Sequence, residues 1–250
     1  MSDSRFAGSK GTRASSWAFR LVITGLVLAV LGLLGARVGL NPMFAMLLIS
    51  LGSLSLIVAG ITALIGLLRS GGSGGDIAAW KPWSAVALGA AAVFNAGTMM
   101  GSGGAPIHDI STDTADPPEF VEVALLRGPD DNPAAYAGEE TAALQAAAYP
   151  DIETIVLLSE PAAAFATALA AAEKMGWEIV SADATAGRIE ATDTTPFVGF
   201  KDDVVIRVRG AGGETEVDVR SKSRVGRGDM GVNAKRIRAY REQLLAELDS

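Results

Sequence analysis

The stretch VDVRSKSRVGRGDMGVNAKRI, Val217 to Ile237, decides how the second half of this chain is read. From Val217 to Val225 the residues alternate. Val217 and Val219 fall on one face and Asp218, Arg220, Lys222 and Arg224 on the other, as the two-residue period of a strand requires. Gly226, Gly228 and Gly231 punctuate the turn beyond it. Asp229 stands where a helix N-cap belongs, and the helix it opens runs to about Leu248 with Ile237, Tyr240, Leu244 and Leu248 as its apolar stripe. Seven basic residues crowd this region: Arg220, Lys222, Arg224, Arg227, Lys235, Arg236 and Arg238.

Working back from there, Asp202 to Arg209 alternates in the same way. Val204, Ile206 and Val208 share one face, and Val205, Arg207 and Arg209 the other. Gly210 to Gly213 joins this strand to the next as a hairpin turn. Arg188 to Thr194 and Trp177 to Ala182 form a second hairpin about the turn Asp183 to Gly187. Before it, Ser159 and Pro161 start a helix whose apolar face is Phe165, Leu169, Ala172 and Met175, and Gly176 stops it. Glu153 to Leu158 reads as a further strand. The order strand, helix, four strands, helix predicts an α+β fold, an antiparallel sheet with two amphipathic helices on one face. The opposite face carries Arg188, Glu190, Thr192, Arg207, Arg209, Asp218 and the basic row. Either it is solvated or an irregular arm from residues 107–150, with a helix at Glu139 to Ala148, covers part of it.

The first half is different in kind. Three apolar runs predict an all-α membrane region of three helices over residues 21–100, at about 21–40, 43–68 and 83–100. Met43 to Leu68 has no charge, and its Gly52, Gly60 and Gly66 offer positions for close helix approach. The third run, Trp83 to Met100, is Ala- and Gly-rich with Asn95 inside, and Trp80 and Trp83 mark its interfacial end. The first run is read as a span and not a cleaved signal, because no small-x-small site comes after it before the next run. Residues 1–20 read as a cytoplasmic tail, disordered to about Ser16; SGGSGGD, from Ser70 to Asp76, as a flexible loop; residues 101–118 as a tether containing His108; and residues 119–250 as the folded domain. Arg5, Lys10, Arg13 and Arg20 place the N-terminus inside, and three spans then place the C-terminal domain outside, in the periplasm if the membrane is a bacterial inner membrane; if the third run is instead a surface or re-entrant segment, the domain is cytoplasmic.

Charge divides along the same line. Up to Gly104 there are seven basic and two acidic residues; beyond it there are 14 and 26 of the chain's 21 and 28. So acidic a domain repels polynucleotides, and nucleic acid is not an expected partner. With no Cys, thiolate sites are excluded; with one His, so are His-based zinc sites unless carboxylates supply the other ligands, and neither a metal nor a cofactor is expected.

The strings IEATDTTPFVGFKDDVVIRVR (Ile189 to Arg209) and VDVRSKSRVGRGDMGVNAKRIRAY (Val217 to Tyr240) resemble the bacterial and plastid family called domain of unknown function 1499. IHDISTDTADPP, Ile107 to Pro118, is similar to that family's opening segment, so the resemblance covers about Ile107 to Leu248. It departs at Pro196-Phe197-Val198, where an aromatic pair is expected before Gly199-Phe200. The resemblance implies a fold and an envelope location, and no reaction.

The chemistry on offer is an anion site. Arg220, Arg224, Arg227 and Arg236, with Asp229, Asn233 and the glycines at the helix start, combine guanidinium forks with backbone donors. A phosphate, a carboxylate or an acidic lipid headgroup suits such a site. The same arginines have partners for an internal ion-pair network in Asp202, Asp218 and Asp229. Asp193, Asp202 and Asp203 are second candidates. Adjacent Asp202 and Asp203 point to opposite faces of a strand, so they do not form a close dyad. His108 with Asp109 and Asp113 lacks a diagnostic metal spacing, and Ser221 and Ser223 have no His at hand for a triad. GRGDMG lacks the Lys-Ser/Thr ending of a phosphate loop. The expected protein is a non-catalytic membrane protein, with the bilayer as one partner and an envelope protein or small anionic ligand as the other. The alternative is an envelope enzyme acting on a lipid or cell-wall component through Asp193, Asp202, Arg220 and Asp229.

Overall fold

The computed structural model describes residues 4–69, 80–101 and 104–248. The chain divides into two compact units, Met1–Gly101 with Pro196–Gly199, and Ser102–Thr195 with Phe200–Ser250. The loop expected over Ser70 to Asp76 lies outside the described residues.

The helical unit holds α1 (Ser4–Arg37), α2 (Pro42–Arg69) and α3 (Trp80–Gly101). The expected disordered tail is corrected here, because α1 already begins at Ser4. The Asn41 side chain accepts from the Met43 N–H at 2.9 Å and Pro42 sits just inside, so α2 starts on a polar cap. Among the described residues two stretches, Ser16–Arg37 and Pro42–Arg69, are long and apolar enough to cross a membrane by length and composition. The third expected span lies within α3, which is not one of those two. Close approach occurs where side chains are smallest. A Cβ on Gly52 would lie 2.7 Å from the Gly25 carbonyl oxygen, and one on Gly89 2.9 Å from the Gly60 α-carbon. The outward Leu and Ile side chains, Leu47, Leu54 and Ile61 among them, are exposed.

The second unit is α+β. Among the described residues its antiparallel sheet has six strands: β1 (Asp109–Ser111), β2 (Ile155–Leu157), β3 (Glu178–Asp183), β4 (Arg188–Thr194), β5 (Lys201–Ala211) and β6 (Glu214–Ser223). The order is β1-β6-β5-β4-β3, and β2 also pairs with β6. The long strands are those with clean alternation. Along β5 and β6, Val204, Ile206, Val208, Val217 and Val219 all face one side and are buried. That side is covered by α6 (Pro161–Lys174) and α7 (Val232–Leu248), which contribute Ala164, Phe165, Ala168, Ile237, Tyr240 and Leu244 to one core. Trp177 stacks on Tyr240 with centroids 5.3 Å apart, and the Tyr240 hydroxyl donates to the Ala168 carbonyl at 3.0 Å. Helix α6 opens at Pro161 after Glu160, and the Ser159 hydroxyl, buried and without a partner among the described residues, does not cap it.

The expected tether is corrected. Residues 109–111 are strand β1, with Asp109 opposite Lys222 and Ser111 opposite Arg220. The outer edge of β1 is closed by a side chain. Gln145, on α5 (Glu139–Ala148), donates its amide to the Ser111 carbonyl at 2.6 Å and accepts from the Ser111 N–H at 2.9 Å, as a neighbouring strand would.

Candidate functional site

The arm after β1, with α4 (Glu122–Leu125), lies across the polar face of the sheet as far as Tyr136, and α5 follows at the edge of β1. Its fastening explains the basic row of β6. Arg220 grips Asp109 with two bonds, at 2.8 and 2.9 Å, and donates to the Pro118 and Ala134 carbonyls at 3.0 and 2.9 Å. Lys222 donates to Asp109 at 3.0 Å and to the Ala135 carbonyl at 2.6 Å. Arg224 holds Asp203 at 2.8 Å and reaches the Leu126 carbonyl at 3.2 Å. Arg127, from the arm, closes on the same Asp203 at 2.9 Å. The Arg220 guanidinium lies over the rings of Phe120 and Tyr136, 4.7 and 5.2 Å from their centroids. Buried Glu190 accepts from the Val121 and Val123 N–H groups at the start of α4. The basic side chains of β6 thus bind the chain's own arm.

These groups are buried, and their acidities reflect it. Burial pushes Lys222 below the ordinary lysine range, against the opposing pull of Asp109. Burial likewise lowers Arg127, which Asp203 opposes. Tyr136 is pushed up to about 12 by burial, with the Asp109 charge adding to it. At the arm's outer turn, burial raises the Asp113 carboxyl, but the Asp116 and Ala115 N–H groups and the guanidiniums of Arg207 and Arg209 outweigh it and hold it low.

The second cluster lies on the helix face. Arg236, on α7, donates to Asp202 at 2.6 Å, Asp193 at 2.8 Å, the Ser221 hydroxyl at 3.1 Å and Asn233 at 2.6 Å. Asn233 in turn donates to the His108 carbonyl at 3.1 Å and to Ser223 at 2.9 Å. Asp229 accepts from the N–H groups of Gly231 and Asn233, at 2.8 and 2.7 Å, and anchors the start of α7. Between them Met230 has φ of 54°, the left-handed region that glycine favours.

The sequence candidates therefore separate. Arg220 and Arg224 stand under the arm with Asp203; Arg236, Asp202, Asp193 and Asn233 stand beneath α7; Asp229 caps; Arg227 is exposed. The four arginines do not converge on one point, nor do Asp193, Asp202, Arg220 and Asp229. Asp202 and Asp203 point to opposite faces of β5 and take different arginines. His108 is part of the fold, its carbonyl bonded to the Ser223 N–H at 3.0 Å. Among the described residues no group of three His, Asp or Glu side chains is placed to hold a metal. Arg127 and Gln145 do not stand out in the sequence, because a lone polar residue carries no sign of its burial; Glu190 is legible only as a residue of the polar face, and Asp109 only as a neighbour of His108 and Asp113.

One open groove accompanies these clusters. It encloses about 300 Å³ between Pro117, Pro118, Val205, Arg188 and Arg207. Its cations are answered from within. Arg207 donates to Asp218, Asp113 and Asp116 at 2.8, 3.0 and 3.0 Å, and Arg188 lies 3.0 Å from Glu190.

A family model described as "Protein of unknown function (DUF1499)" matches residues 109–244, more than half of the chain, and the chain belongs to that family. No curated protein matches it.

Proposed function

We propose that this member of the DUF1499 family is a membrane-anchored, non-catalytic domain that meets a partner through its surface on the far side of the membrane from its N-terminus. The helical unit is the anchor. Helices α1 and α2 supply two apolar stretches, and α3 is the third crossing that carries the domain across, into the periplasm where the membrane is a bacterial inner one. One observation supports surface binding over an anion pocket or an active site. Arg220, Arg224 and Arg236 each hold a carboxylate of their own domain within 2.9 Å. A small anion competing for them has to displace a buried, pre-organised partner.

A reporter fusion after Ser250 tests the placement. Activity of a periplasm-dependent reporter, with silence of a cytoplasm-dependent one, supports three crossings. The reverse removes α3 from the membrane and places the domain with the N-terminus. An envelope-enzyme reading is favoured instead if Arg224→Ala leaves the domain folded and abolishes turnover of a lipid or cell-wall substrate.

A further inference from the structure

The chain enters the second unit at one end of the sheet. Strand β6 ends there at Ser223 and β5 begins there at Lys201, whose carbonyl accepts from the Arg224 N–H at 3.0 Å. Gly104 packs directly against Met230 and Gly231 at this end, so closely that it has no room for a Cβ. Ser102 and Gly103 alone separate it from Gly101, the last residue of α3, a reach of about 11 Å at three steps of about 3.8 Å.

This end is unlike the rest of an acidic domain. Met230 is 46% exposed and Val232 38%, at the start of α7. Met230 keeps its apolar side chain in solvent at a backbone position that favours glycine. On the arm side Leu125 is 78% exposed and Leu126 55%; the Leu126 carbonyl is tied to Arg224, and Asn132 is tied to the Gly226 carbonyl at 2.9 Å. Lys201, Arg227 and Lys235 are exposed around them. The acidic groups here are Asp229, whose carboxylate is engaged by two backbone N–H groups, Asp193 and Asp202, both held by Arg236, and on the arm Asp130, Asp131 and the exposed Glu122, three residues before Leu125 on α4.

We propose that this end of the domain rests in the interface of the bilayer that anchors the chain, with Met230, Val232, Leu125 and Leu126 among the headgroups and Arg227, Lys201 and Lys235 against lipid phosphates. Exposed apolar side chains at an end that also carries exposed cations are the composition an interfacial contact needs. The chain's point of entry brings this end to the lipid surface, an argument that rests on reading α3 as a membrane helix. The opposite end, where Leu157 pairs with Thr215, lies about 27 Å away, eight residues of β6 at about 3.4 Å each. Its exposed Leu158 stays in water.

The chain has no cysteine, so single cysteines can be introduced and labelled cleanly. Full-length Met230→Cys, Leu125→Cys, Leu158→Cys and Phe94→Cys, each carrying an environment-sensitive fluorophore, are reconstituted into equimolar phosphatidylcholine and phosphatidylglycerol vesicles with lipid-attached quenchers. All four positions are exposed, so the fold tolerates the probes. The expected result is loss of emission at Phe94 on α3, at Met230 and at Leu125, with none at Leu158. Quenching at Phe94 but not at Met230 and Leu125 overturns the inference and leaves the anchor intact. No quenching at Phe94 overturns the reading of α3 and the inference with it. Equal quenching at Leu158 shows indiscriminate adsorption and also overturns the inference.

Discussion

Asp109→Asn removes a charge and almost no volume, so its cost isolates the electrostatics that fasten the arm. Asp109 is fully buried and neutralises two cations, Arg220 at 2.8 and 2.9 Å and Lys222 at 3.0 Å, themselves almost fully buried. With Asn in its place both cations lose their counter-charge and keep only neutral acceptors, the new amide oxygen and the carbonyls of Pro118, Ala134 and Ala135. An uncompensated buried charge costs about 3–5 kcal/mol, a large part of the roughly 5–15 kcal/mol that holds a domain folded. Lys222→Met is the milder change. It strands one carbonyl but removes the second cation and leaves Asp109 paired with Arg220, so it should cost about 1 kcal/mol. The double variant Asp109→Asn with Lys222→Met should be more stable than the sum of the two losses predicts, by about 1–2 kcal/mol. Urea unfolding of the full chain in detergent, tracked by the near-ultraviolet dichroism of the Trp177–Tyr240 stack, reads all three. A loss below about 1 kcal/mol for Asp109→Asn, or strict additivity in the double variant, refutes the claim that this carboxylate balances the two cations.

Three further outcomes rest on the same geometry. Burial lowers the Lys222 pKa, so between that lowered value and the ordinary lysine value of about 10.4 the unfolded chain binds more protons than the folded one; stability should rise with pH across that window, and Lys222→Met should flatten the slope in the same urea titration. Arg236→Met, which strands Asp202 and Asp193, should cost about 3 kcal/mol, whereas Arg238→Met, which breaks an exposed pair with Asp151, should cost less than about 1 kcal/mol by the same assay. Gly52→Val should lower the thermal unfolding midpoint of the helices in detergent through about 1–3 kcal/mol of overpacking against Gly25, while Gly97→Val, with nothing within 4 Å of its Cβ, should leave it nearly unchanged.

What the sequence made legible was whatever repeats. The two-residue period of Val204-Ile206-Val208 and Val217-Val219 identified the strands and the face each presents to the core, and the pairing of β5 with β6 obeys that alternation residue by residue. The stripe Ile237-Tyr240-Leu244 identified the face of α7 in the same way, while Leu248, the fourth residue expected in it, is 42% exposed at the helix end. Neither period reaches the arm. Asp109 sits in aperiodic chain rich in Asp and Pro, a composition that reads as a tether, and Phe120 in the irregular arm that follows it. Their burial depends on partners in β6, which begins more than ninety residues after either of them.

That separation also explains why the basic row looked like a ligand site. Alternation shows that Arg220, Lys222 and Arg224 share a face, but not what lies against it. An exposed row of cations in an acidic domain predicts an anionic visitor. A covered row requires a resident, and the resident here is a backbone: the carbonyls of Pro118, Leu126, Ala134 and Ala135, with Asp109 and Asp203 supplying the charge. Backbone carbonyls carry no side-chain signature, so no residue pattern in the arm announces them. The one cation of the candidate set left exposed is Arg227, where the chain turns from β6 towards α7 at the end of the domain nearest its entry. The physical division is therefore between arginines that hold the fold closed and an end face whose cations and apolar side chains remain free to meet something else.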